Sequence, residues 1–125
     1  MKKNKIGYPS EKLRDVVVKG MQEKKANDIV VVDLRDIGNS IADFLVICTG
    51  TSDTQVDALS DSIDKEVHVA FGESPWHSEG KTNKEWILLD YVNVVAHIFT
   101  TEKRAFFGLE NLWGDAKVTH IDTTN

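Results

Sequence analysis

The stretch "WILLDYVNVVAHIF", residues 86–99, decides how this chain is read. Ile87, Leu89 and Tyr91, then Val94, Ala96 and Ile98, recur at every second position on either side of Val92-Asn93. That is the pattern of two strands joined by a two-residue turn. With Tyr91 opposite Val94, the register sets Asp90 against Val95, Leu88 against His97 and Trp86 against Phe99. Ile87, Leu89, Tyr91, Val94, Ala96 and Ile98 then share one apolar face, which belongs against helices. Trp86, Leu88, Asp90, Val95, His97 and Phe99 share the other, where one acid and one imidazole are diagonal neighbours. A slip of one residue separates them.

Upstream, "IVVVDL" (29–34) and "FLVICTG" (44–50) are continuous apolar runs, as expected of buried strands. The link "DIGNS" is too short and polar for a crossover helix, so the two strands should pair antiparallel. Ser52-Asp53-Thr54-Gln55 has the form of a capping box, with Ser52 accepting from the Gln55 amide and Gln55 reaching back. Val56, Leu59, Ile63, Val67 and Ala70 continue at helical spacing, and Gly72 is a natural stop. Residues 73–85 read as polar and irregular. Strand, capped helix and strand together make a crossover unit.

An earlier helix starts at Pro9-Ser10-Glu11, with Ser10 as N-cap, and carries Leu13, Val16, Val17 and Met21. Gly20 should weaken it by about 1 kcal/mol relative to Ala. After Phe99 the sequence predicts a charged bend, "TTEKR", then a short helical stretch through "LENLW". The expectation is one α/β domain over residues 10–118, a mixed sheet of four to five strands packed with helices. A flexible tail (1–9) and a loose tail (119–125) flank it.

Lys and Arg total 15 against 20 Asp and Glu, a net charge of -5. This gives no global pull toward nucleic acid and suits a basic protein partner. No run approaches the roughly 20 apolar residues of a membrane span. The single Cys48 fits no disulfide scaffold, which points to a reducing, cytoplasmic setting.

Three readings of the face with Asp90 and His97 stand side by side. It is a second core covered by the C-terminal segment, an interface rich in aromatic residues, or a chemical site. Metal binding would need Glu79, Asp90 and His97 to converge, with His77 the only further histidine at hand. No G-x-S-x-G elbow is present. "GTS" (50–52) opens a capped helix but lacks the Lys and the length of a phosphate loop.

The pieces "ADFLVICTGTSDTQVDAL", "SEG", "WILLDYVNVVAHIF" and "RAFFGLENLWGDA", in that order and spacing, resemble the ribosomal silencing factor family, also called the Iojap family. The resemblance implies a mixed-sheet domain of nucleotidyltransferase-like layout, without enzymatic activity, catalytic residues, metal or cofactor. It implies binding to the L14-type protein of the large (50S) ribosomal subunit and a block on joining of the small subunit. It also implies repression of translation when nutrients are short, and a possible homodimer when free. Its surface positions fall on Glu79, Gly80, Trp86, Leu88, Asp90, Tyr91, His97, Arg104, Phe107, Glu110, Leu112 and Trp113. The expected partner contacts are Glu79, Trp86, Leu88, Asp90, Tyr91, His97 and Arg104, with Trp86 as main anchor. Arg104 has an equally good structural role, tying the C-terminal segment to the sheet through Asp90 or Glu110. The competing reading is a metal-dependent or nucleotidyltransferase-like enzyme using Glu79, Asp90 and His97. The only D-x-[DE], Asp64-Lys65-Glu66, lies in a predicted helix, where residues two apart do not share a face. Relatives usually place Gly where this chain has Val92, so the turn should be of another type or longer.

Overall fold

The computed structural model describes residues 9–107, 114 and 116–121. Helix α1 (Ser10–Glu23) leads into strands β1 (Asn27–Asp33) and β2 (Phe44–Gly50). Helix α2 (Asp53–Phe71) follows, then β3 (His77–Glu79), β4 (Trp86–Asp90), β5 (Val94–Thr100), α3 (Thr101–Phe107) and β6 (Lys117–His120). The six strands form one sheet in the order β3-β4-β5-β2-β1-β6. β2 and β5 run parallel, in register from Phe44 opposite Val94 to Gly50 opposite Thr100. The other neighbours are antiparallel. The crossover expected after β2 therefore ends on β5, with β3 and β4 threaded in between.

The sheet has six strands where four to five were expected. The extra ones are short edge strands with every residue exposed, so neither carries the apolar signal that marks a buried strand. β6 includes Thr119 and His120, opposite Val31 and Val30, so the chain does not loosen at Thr119. The charged stretch after Phe99 is not a bend: α3 begins at Thr101, directly after β5. "LENLW" lies outside the described residues, as do residues 1–8.

Leu13, Val17 and Met21 of α1 and Val56, Leu59, Ile63 and Val67 of α2 form one core with Ile87, Leu89, Tyr91, Val94, Ala96 and Ile98. This is the helix-facing side of the hairpin read from the sequence. Gly20 is where α1 meets α2. A β-carbon there would lie 2.8 Å from the Ile63 Cα, and Ser62 Oγ donates to the Gly20 carbonyl at 2.8 Å. The glycine expected to weaken α1 is thus what allows the two helices to touch. Pro9, not Ser10, holds the N-cap position of α1, with no side-chain cap. Ser10 instead lies inside the helix and donates to Asp43 Oδ2 at 2.7 Å. Ser52 does cap α2, accepting from the Gln55 N–H at 3.1 Å. Gln55 Oε1 reaches back one residue further than expected, to the N–H of Thr51, at 2.7 Å. Gly72 ends α2 in the left-handed conformation.

Candidate docking face

The hairpin pairs as its alternation predicts: Trp86 opposite Phe99, Leu88 opposite His97 and Asp90 opposite Val95. β3 then extends the same face outward, with His77 opposite Asp90 and Glu79 opposite Leu88. Inward, Ile47 and Leu45 of β2 lie opposite Val30 and Val32 of β1. These four residues, with Leu34, Ala42, Val95 and Phe99, form a second buried cluster on the side away from α1 and α2. Trp86 and Leu88 are half-buried against it. The face therefore grades from a closed apolar layer at the sheet centre to an exposed rim at β3.

The polar residues on this face are tied down one by one. Trp86 Nε1–H donates to His97 Nδ1 at 2.9 Å. An indole nitrogen can only donate, so Nδ1 is the bare acceptor and the imidazole carries its proton on Nε2. Burial pushes the His97 pKa down to about 4, which keeps the ring neutral at ordinary pH. Trp86 also stacks on Phe99, with ring centroids 5.0 Å apart, and Phe99 lies 6.1 Å from His97. Asp90 does not pair with His97. Its Oδ1 accepts from the Val92 N–H at 2.7 Å, inside the turn. There the Asn93 N–H donates to the Tyr91 carbonyl at 3.0 Å across Val92, whose φ is 78°. A bond from residue i+2 around a φ-positive centre is a tight γ-turn, so the turn is of another type as expected, yet it keeps the positive φ that a glycine would have tolerated and Val92 adopts under strain.

The expected contact residues do not all share this face. Glu79, Trp86, Leu88 and Asp90 do, with His97 beneath Trp86. His97 is only 7% exposed and Tyr91 only 5%. Tyr91 sits in the helix-side core, as strand alternation requires, on the opposite side of the sheet from Trp86 and Leu88. Arg104 reaches the same side of the sheet as Trp86, at its Trp86 end: its guanidinium Nη1 donates to the Asp28 carbonyl at 2.9 Å and at 2.8 Å to the hydroxyl of Thr49, which lies opposite Phe99. It does tie α3 to the sheet, but through these groups and not through Asp90. Glu110, Leu112, Trp113 and the side chain of Phe107 lie outside the described residues. Gly80 holds φ 86°, and a β-carbon there would strike the Trp86 carbonyl, so the β3–β4 connection requires glycine.

The enzyme reading needs Glu79, Asp90 and His97 to converge. Each is engaged elsewhere: Glu79 Oε2 lies 2.7 Å from His77 Nε2, Asp90 holds the turn and His97 holds Trp86. Among the described residues no group of three His, Cys, Asp or Glu is placed to hold a metal ion. None of the described helices is long and apolar enough to cross a membrane. Sequence reasoning passed over Trp76, which is 76% exposed beside β3. Its only signal was an aromatic residue next to proline in a stretch otherwise read as loop.

Fold and face together define a small mixed α/β domain, with α1 and α2 on one side of the sheet and a graded aromatic patch on the other. The family model described as "Ribosomal silencing factor during starvation" matches residues 8–125, and the chain belongs to that family, RsfS. It is 34% identical over 113 residues to ribosomal silencing factor RsfS of Halalkalibacterium halodurans, covering 90% of this chain and 95% of that one. It is 37% identical over 100 residues to the RsfS of Bacillus subtilis, covering 80% and 83%. A crystal structure of a Chromobacterium violaceum protein matches with a TM-score of 0.81 at 26% identity, covering 94% of this chain and 98% of that one.

Proposed function

We propose that this protein is a ribosomal silencing factor that works by docking and without chemistry. In this reading it binds the large ribosomal subunit in the cytoplasm through the L14-type protein. Its bulk then keeps the small subunit from joining, and translation falls when nutrients are short. The family match over residues 8–125 carries the reading. The graded face supports it: Trp86 and Leu88 offer half-buried apolar surface, rimmed by Glu79 and Asp90, on a chain of net charge -5. Such a patch suits a basic protein surface. A nanomolar contact is about -12 kcal/mol, within reach of a standard-size interface with a few anchors.

We also read the layout as nucleotidyltransferase-like and assign no transfer reaction to it. Asp64 and Glu66 lie two apart within α2 and point to different sides, and a fold alone does not bring its activity along. The free protein is proposed to form a homodimer. Sedimentation of mixed purified subunits tests the reading. With saturating protein, free large and small subunits should persist. The variant Leu88→Arg, which sets a cation against a basic partner, should let them join. Full joining in the presence of the unaltered protein would sink the proposal.

A further inference from the structure

The contact set implied by the family omits Trp76. An indole left 76% exposed forgoes the stabilisation that burial of its large apolar area would bring. It is nevertheless held on fixed backbone. Pro75 next to it has its own φ fixed, the Trp76 N–H donates to the Asp90 carbonyl at 2.8 Å, and β3 begins at the next residue.

The indole is continuous with the docking face. Its ring centroid lies 6.1 Å from that of His77, and His77 and Glu79 stand opposite Asp90 and Leu88 on that face. All three residues of β3 are exposed, and β3 is an outer strand of the sheet. The segment 73–80, "ESPWHSEG", holds two glutamates and no lysine or arginine. An exposed indole beside carboxylates fits a guanidinium or ammonium group, which can lie over the ring while pairing with Glu79.

We propose that Trp76 is a second anchor of the docking face, gripping an arginine- or lysine-bearing patch of the ribosomal partner around the β3 edge. This rests on the silencing reading above. A second copy of this chain is the poorer occupant of this particular surface, because it would bring the same acidic segment to meet it.

Equilibrium binding of the full chain to purified large subunits tests it, with Trp76→Ala, Trp76→Phe and Glu79→Gln beside the unaltered protein. Trp76→Ala should weaken binding by about tenfold or more, and Trp76→Phe by less, as expected of an interface aromatic. Added salt should weaken the unaltered protein more steeply than Glu79→Gln. Since the side chain is exposed, the thermal midpoint of Trp76→Ala should not move. Equal affinities of Trp76→Ala and the unaltered protein would overturn the inference while leaving the silencing reading intact. So would a changed monomer–dimer balance in Trp76→Ala with subunit binding unaltered, which would assign the surface to a second copy. No binding by the unaltered protein would overturn both.

Discussion

The two sides of the β4–β5 hairpin are made from the same fourteen-residue stretch and are put to different uses. On the helix side Ile87, Leu89, Ala96 and Ile98 are fully buried, and among the six hairpin residues of that side only the Tyr91 phenol is ionisable. On the other side burial decays strand by strand, from Phe99 through His97 and Val95 to half-buried Trp86, Leu88 and Asp90, then to exposed His77 and Glu79. The first side has only packing to satisfy. The second must stay soluble and keep apolar area available, so its polar groups are each fixed by a hydrogen bond.

Neighbouring leucines give the largest expected contrast. Leu89→Ala opens a cavity between sheet and helices and should cost about 3 kcal/mol of folding stability, the middle of the range for buried leucine. Leu88→Ala on the half-exposed face should cost less than about 1 kcal/mol and act on subunit binding instead. Urea unfolding of both variants measures the difference. Equal losses would show that the outer face contributes to folding as much as the inner one does.

His97 sharpens the contrast through pH. Its pKa is lowered to about 4 in the folded chain, so below its ordinary value of 6.5 the unfolded chain binds a proton that the folded one refuses. Stability is therefore complete above pH 6.5 and falls as pH drops toward 4, by about 3 kcal/mol over that window. Asp33 acts lower down. The hydrogen bond from Arg35 holds its carboxyl below 3.8, so its contribution is lost only as pH falls beneath that value. In His97→Phe the loss between pH 6.5 and 4 should largely vanish. An unchanged slope in urea midpoints across that window would mean that His97 is not the group responsible.

What the sequence showed follows from where burial is strongest. The β2 boundaries were legible as an unbroken apolar run ending at Gly50, and the hairpin register and inner face through the period-two recurrence on either side of the turn. β3 and β6 were not, since an exposed three- or four-residue edge has no period to read. The role of Gly20 was misread because propensity treats a helix alone, whereas the Ile63 backbone 2.8 Å from its missing β-carbon belongs to another helix. The candidate face was visible as a set of residues but not as a gradient. Neither the Trp86–His97 bond nor the use of Asp90 inside the turn can be told from spacing. The surface roles of Tyr91 and Arg104 came from resemblance; alternation places Tyr91 on the helix side, and the Arg104 partners, 55 and 76 residues away, have no local signal in the sequence.

The turn that joins β4 and β5 offers the smallest effect and the finest test of register. Val92 holds φ 78°, a conformation that crowds any β-branched residue and costs on the order of 1–3 kcal/mol. Asp90 Oδ1 offsets part of that by accepting from the Val92 N–H. Val92→Gly removes the strain but raises the entropy of the unfolded chain, so a net gain of about 1 kcal/mol is expected. Equilibrium urea unfolding should show a higher midpoint with an unchanged slope. Asp90→Ala should then cost less in the Val92→Gly background than in the natural one, because a relaxed turn depends less on that carboxylate. If the two costs are equal, Asp90 is not holding the turn against strain, and its carboxylate belongs wholly to the outer face.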